Sequence, residues 1–106
     1  LLKFINKLPK KNFGINYDSG NSAGFNYKFE DEKIYFHRVL NIHLKDKNKK
    51  NISVDLGKGV ANFKDLFEYC KKINYKGNYI LQTARNKNDI AIMKKNIKFL
   101  KKKFLW

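Results

Sequence analysis

The sequence predicts an α/β fold with a parallel sheet, on three observations. Strand-like and helix-like stretches alternate as helix end, strand, helix, strand, helix, strand, helix, a run of βα units. The stretch Asn41-Ile42-His43-Leu44-Lys45-Asp46 carries apolar residues inward and finishes in an imidazole, an ammonium and a carboxylate. Strands that end in polar chemistry are how α/β proteins build sites, because ligands bind beyond the carboxyl ends of the strands. Finally, 106 residues allow one small domain at most, and 42% apolar with 15% aromatic residues is too rich for a disordered tail.

Leu1, Leu2, Phe4, Ile5 and Leu8 recur at helical spacing until Pro9 stops the pattern, so the chain opens on the tail of an amphipathic helix. Phe13 to Tyr17 reads as a short strand ending at Asp18, followed by an open turn of small residues, Asp18 to Gly24. Phe29 to His37, charged and aromatic, reads as a helix with His37 at its end, feeding a second strand over Val39 to Leu44. Lys45 to Lys50 is expected to be a solvated loop, and the alternation of Ile52, Val54 and Leu56 a strand-like excursion before Gly57-Lys58-Gly59. Those two glycines are weak grounds for phosphate binding, since the P-loop and dinucleotide patterns are absent.

Asn62 is placed to cap the next helix, with Asp65 in its first turn and Phe63, Leu66, Phe67, Cys70 and Ile73 as its apolar stripe. Tyr79-Ile80-Leu81 starts a third strand that finishes in Gln82-Thr83-Ala84-Arg85. A last helix from about Asn88 puts Ile90, Met93, Ile97, Leu100 and Phe104 on one face, which is expected to face the core, with lysines over the remainder. A basic amphipathic helix lying on a membrane is the competing reading, and the preceding βα pattern weighs against it.

The net charge of +15, from 24 Lys and Arg against 9 Asp and Glu, raises nucleic acid or an anionic membrane as partners. Only Arg38 and Arg85 are arginines, the residue favoured for bidentate phosphate and base contacts, so nucleic acid is not the expected partner. The abundance of Lys, Asn and Ile reads instead as compositional drift on a solvated surface. The single Cys70 excludes an internal disulfide, reads as a buried packing residue, and fits a reducing, cytoplasmic setting. No apolar run approaches ~18 residues, and no signal peptide is readable, so neither a membrane span nor secretion is expected. The chain begins Leu1-Leu2 rather than with Met, as a processed protein or a piece of a longer one would.

Asp18, His43 and Gln82 each close a predicted strand, and in a parallel sheet all three ends share one edge. Adjacent strands lie ~4.8 Å apart, close enough for neighbouring ends to share one ion or substrate. Carboxylate and imidazole suit a divalent cation such as Mn, Zn, Co or Mg, while Gln82 offers a neutral carbonyl oxygen. The wording around these ends is informative in its order: Gly14-Ile15-Asn16-Tyr17-Asp18-Ser19-Gly20-Asn21-Ser22, then Asn41 to Asp46, then Leu56-Gly57-Lys58-Gly59 with Asn62-Phe63 and Leu66-Phe67, then Ile73 to Thr83. From about Leu1 to Phe104 this resembles the C-terminal part of the xylose isomerase-like TIM-barrel family, in particular sugar-phosphate isomerases and epimerases related to the hexulose-phosphate 3-epimerases.

The resemblance implies a (β/α)8 barrel of which residues 1–106 hold strands six, seven and eight as an incomplete domain, with a missing N-terminal barrel half. It implies one divalent metal held by a Glu after strand five, an Asp, a His and a Glu, of which Asp18 matches the Asp and His43 the His. Gln82 falls where the last Glu is expected. In the epimerases the two Glu residues also move the proton beside a carbonyl while the metal polarises the oxygens, which an amide cannot do. The expected ligand is a sugar or sugar phosphate, with Asn21 and Lys45 as candidate substrate contacts, and the isolated chain is expected to be inactive. An abasic-site DNA endonuclease in the same superfamily would need more His and acidic ligands than these strand ends carry. Outside the superfamily the alternatives are a basic, non-enzymatic polyanion-binding module, which lacks RNP-type motifs and Arg clusters, or an inactive gene fragment.

Overall fold

The computed structural model, which describes residues 1–85 and 87–104, begins with a one-turn helix, α1 (Leu2–Ile5), that is over before Pro9. Strand β1 (Ile15–Asp18) follows, and its last residue is also the N-cap of α2 (Ser19–Gly24), with Asp18 Oδ1 accepting from the Asn21 N–H at 2.8 Å. The stretch expected as an open turn is therefore a short helix. Gly, Ser and Asn are weak helix formers, so the cap and the burial of Ser19, Gly20 and Ser22 hold it together. The segment expected as one helix divides into α3 (Phe29–Glu32) and a 3₁₀ turn over Lys33–Arg38, with His37 in its last turn. Such 3₁₀ pieces are common where a helix gives way to a connector.

Strand β2 (Val39–Leu44) has the extent that the sequence predicts. The Lys45–Lys50 stretch, expected to be solvated loop throughout, contains β3 (Asp46–Lys47), which pairs antiparallel with β4 (Ser53–Val54). The strand-like excursion is thus one arm of a small hairpin beyond the end of β2. Helix α4 (Phe63–Lys72) is capped as expected, the Asn62 side chain accepting from the Asp65 N–H at 3.1 Å. Strand β5 (Asn78–Leu81) and helix α5 (Asp89–Phe104) complete the chain.

The main sheet has the order β1-β2-β5, all parallel, so the three C-terminal ends share one edge. Its core lies on one face, where Tyr17, Ile42 and Leu44 meet Phe29, Phe36, Leu66, Phe67, Cys70 and Leu100. The rings of Tyr17, Phe29, Phe36 and Tyr69 pack largely edge-on, with centroids 5.0 to 6.2 Å apart. Cys70 is buried there, and burial pushes its thiol above the ordinary value, which fits packing rather than nucleophilic work.

Two buried charged side chains tie the β1 side together. Arg38 donates to the carbonyls of Ile5, Leu8 and Phe13 at 2.8 to 3.2 Å, closing the end of α1 and the loop into β1. Glu32 accepts from Tyr17 Oη at 2.9 Å and Ser22 Oγ at 2.6 Å, joining α3, β1 and α2. Burial, with Glu32 beside it, drives the Tyr17 phenol far above its usual value.

The last helix sits differently from its expected orientation. Of the predicted stripe only Leu100 is buried and Phe104 half-buried; Ile90, Met93 and Ile97 face solvent, with Ile90 72% exposed. Asn96 turns inward instead, accepting from the Leu56 N–H at 2.7 Å and donating to the Ile92 carbonyl at 2.8 Å. Ile73, expected on the α4 stripe, is exposed as well, because the helix ends at Lys72. Beside this flank an open groove of about 800 Å³ is lined by Phe67, Tyr75, Tyr79 and Phe104 with Lys64 and Lys103 at its rim.

Candidate functional site

Register decides which strand ends meet. Asp18 of β1 lies opposite His43 of β2, so a carboxylate and an imidazole stand side by side at the shared edge. On the other side His43 is level with Ile80, and Gln82 lies one step past β5, where its N–H extends the ladder by donating to the Leu44 carbonyl at 3.0 Å. The Gln82 side chain then folds back so that Oε1 is 3.1 Å from His43 Nδ1. Asp18, by register, and Gln82, by its side chain, thus both neighbour His43 at the shared edge.

The separation of those two atoms permits two chemistries. With Nδ1 protonated it is a hydrogen bond that orients the ring and leaves Nε2 open as an acceptor or ligand. With Nδ1 deprotonated, ~3 Å is also the spacing between two neighbouring donors on one ion at metal–ligand distances of ~2.1 Å. Asp18 adds a carboxylate, of which Oδ1 is engaged by the Asn21 N–H. The donor set thus fits a divalent cation in type but is short of charge, because an amide occupies the third position. Among the described residues no group of three His, Cys, Asp or Glu side chains is placed to hold a metal.

Asn21 and Lys45 are near this edge through the backbone that builds it. The N–H of Asn21 is held by Asp18, which places its half-buried side chain in the first turn of α2. Lys45 directly follows β2, and its N–H donates to Ser19 Oγ at 3.0 Å. Ser19 Oγ in turn lies 2.7 Å from the Lys45 carbonyl and 3.2 Å from the His43 carbonyl, so this buried hydroxyl latches the end of β1 to the end of β2. Gly20 gives the Lys45 side chain room: a Cβ there would stand 2.7 Å from Lys45 Cγ.

Asp46 has a larger structural part than its sequence context foretells. It is 1% exposed, and its two carboxylate oxygens accept from the N–H groups of Lys47, Gly57, Gly59 and Ala61, each at 2.9 Å. Gly57 has φ +85, a conformation that favours glycine, and a Cβ on Gly59 would run into Asp46 and the Lys47 carbonyl. The Gly-Lys-Gly stretch is therefore an anion cradle whose anion is the chain's own carboxylate. It leaves Asp46 turned away from the rim, and among the described residues no carboxylate pairs with Lys45. Ser19 and Asp46 carry no motif of their own; a small hydroxyl after a strand-ending Asp and an Asp followed by spaced glycines are the only local hints.

A family model described as "Xylose isomerase-like TIM barrel" matches residues 1–103. No curated protein matches the chain.

Proposed function

The chain belongs to the xylose isomerase-like TIM-barrel family, and we propose that it is the C-terminal part of a divalent-metal-dependent sugar or sugar-phosphate isomerase or epimerase, carrying barrel strands six to eight. The observation that supports this reading is the convergence of Asp18, His43 and Gln82 at the C-terminal edge of a parallel sheet, with Nδ1 and Oε1 3.1 Å apart. The edge of β5, unpaired among the described residues, the open sheet face at Ile80, which is 41% exposed, and the uncovered Ile90, Met93 and Ile97 on α5 are the surfaces that the remainder of a barrel would cover.

In this reading Asp18 and His43 hold the cation, with Gln82 as a neutral oxygen beside them. A bound divalent cation supplies Lewis-acid polarisation of substrate oxygens. His43 is kept in one ring orientation by Gln82, and Asp18 is kept at the rim by the cap it makes on α2. Lys45 balances an anionic or hydroxyl-bearing group of the substrate, and Asn21 hydrogen-bonds to it. Gln82 neither donates nor takes a proton at neutral pH, so these residues bind and orient, and the proton beside the carbonyl is moved by groups outside residues 1–106. No helix among the described residues is long and apolar enough to cross a membrane, and the buried free Cys70 supports a reducing, cytoplasmic setting.

Manganese or zinc titration by calorimetry tests the reading. One ion per chain is expected for the full-length gene product, with affinity falling about tenfold or more in His43→Ala and little turnover of any ketose phosphate by residues 1–106 alone. Metal-independent turnover by these residues, or wild-type metal affinity in His43→Ala, would refute it.

A further inference from the structure

The face of the sheet opposite the helices is polar to an unusual depth. Tyr17, Ile42 and Leu44 point to the helix side, so by alternation the residues between them line the other face. One row there is Asp18, His43 and Ile80; the row beneath it, two residues back along each strand, is Asn16, Asn41 and Asn78, register partners across all three strands. Asn78 Nδ2 donates to Asn41 Oδ1 at 3.1 Å, Asn16 and Asn78 are exposed and Asn41 is half-buried. In closed barrels of this architecture the layers inside are filled by Val, Ile and Leu. A row of three amides at that level is a departure that packing alone does not account for.

We propose that Asn16, Asn41 and Asn78 form a second tier of the binding site, which hydrogen-bonds the distal hydroxyl groups of a polyhydroxylated ligand anchored at His43. This rests on the sugar isomerase reading and adds the part of the substrate that is recognised away from the metal. The chemistry of the row selects the ligand. Each amide offers a donor and an acceptor, as each hydroxyl does, so the two match without net charge. A distal phosphate or carboxylate would call for Arg or Lys at this level, and an apolar group would leave the amides without partners. The Asn78–Asn41 bond uses Asn78 Nδ2 and Asn41 Oδ1, which leaves Asn41 Nδ2 as a donor and Asn78 Oδ1 as an acceptor for a ligand. Ile80, level with His43, supplies an apolar wall on the β5 side between Asn78 and Gln82.

Depth sets the size of the ligand. Two residues along a strand span ~6.6 Å. A six-carbon sugar held at His43 reaches the asparagine row, and a three-carbon one does not.

The test uses the full-length gene product with D-fructose and D-glyceraldehyde as probes, followed through the side-chain amide signals of ¹⁵N-labelled protein. D-fructose is expected to shift the Asn41 and Asn78 amide signals, and Asn41→Leu and Asn78→Ala to weaken it about tenfold while leaving D-glyceraldehyde unchanged. Asn78→Ala, at an exposed position, keeps the test open if Asn41→Leu disturbs folding. D-fructose binding with still amide signals, or with equal affinity in the variants, overturns the second tier and leaves the isomerase reading standing. Wild-type protein that binds neither probe overturns both.

Discussion

The two flanks of β2 are built by different means. On the β1 side, buried polar side chains are each matched by several partners: Arg38 by three carbonyls, Glu32 by two hydroxyls, Ser19 by two carbonyls at the end of β2. On the β5 side, Asn78, Tyr79 and Ile80 are exposed, and α5 buries only Asn96 and Leu100. The first flank is tied by buried polar contacts between its own residues, yet both flanks present apolar surface that an added layer would take out of water, Phe4, Phe25 and Ile34 on the first and Ile80, Ile90 and Ile97 on the second. The proposed site straddles the two, with Asp18 on the first flank, Gln82 on the second, and His43 between them.

The contrast can be broken most forcefully at Asp46. Asp46→Ala leaves four clustered N–H groups without their acceptor and is expected to cost about 3–5 kcal/mol in urea unfolding. Asn at that position, which keeps one acceptor, should recover part of the loss. Next in size is a matched pair of truncations: Phe36→Ala, in the ring cluster of the β1 flank, about 3–4 kcal/mol, against about 2 kcal/mol for Leu100→Ala on α5. Equal losses would show that the flanks are equally well packed and remove the comparison.

A smaller effect belongs to the site itself. If Asp18, His43 and Gln82 hold a cation as proposed, Gln82→Glu adds the charge that the third position lacks and is expected to raise divalent-metal affinity about tenfold, measured by calorimetry. Unchanged affinity would place Gln82 outside the ion's reach.

Alkaline titration probes both flanks. Burial raises the phenols of Tyr17 and Tyr35 on the β1 flank and of Tyr79 on the other, where it also pushes Tyr75 up to about 12. A phenol whose pKa is higher in the folded chain keeps its proton there while the unfolded chain releases it. The stability it contributes is whole below ~10 and declines as pH rises beyond. Tyr17→Phe should flatten that decline in unfolding curves taken from pH 9 to 11. The smallest effect is Ile90→Ser, within about 0.5 kcal/mol in this chain but nearer 1 kcal/mol in a barrel that covers α5 as proposed.

Much of the fold was legible because its signals are local. Val39 to Leu44 ends where the apolar residues end, and the Asn62 cap follows from residue type at a helix start. Asp18 and His43 were legible as strand-end residues, Asp18 last in β1 and His43 next to last in β2. What escaped was decided at a distance. The Asp18–Gly24 stretch lacks helix propensity, and its helix depends on a side-chain cap and on packing against residues near Lys45. The stripe on α5 has helical spacing, yet spacing does not say which side of the helix meets the sheet, and Asn96 takes the inward place through its bond to Leu56. Asp46 read as part of a polar strand end, and only the return of residues 57–61 turned it into a buried hub.

By itself, then, the sequence determined the alternation of strand and helix, the three polar strand ends and the order of motifs, since these depend on hydrophobic period and turn chemistry within a few residues. Tertiary structure decided that Asp18 stands beside His43, that Gln82 reaches back to the imidazole, and that three asparagines share one row. The reason is register: a shift of one residue in either pairing would turn these side chains to the opposite face.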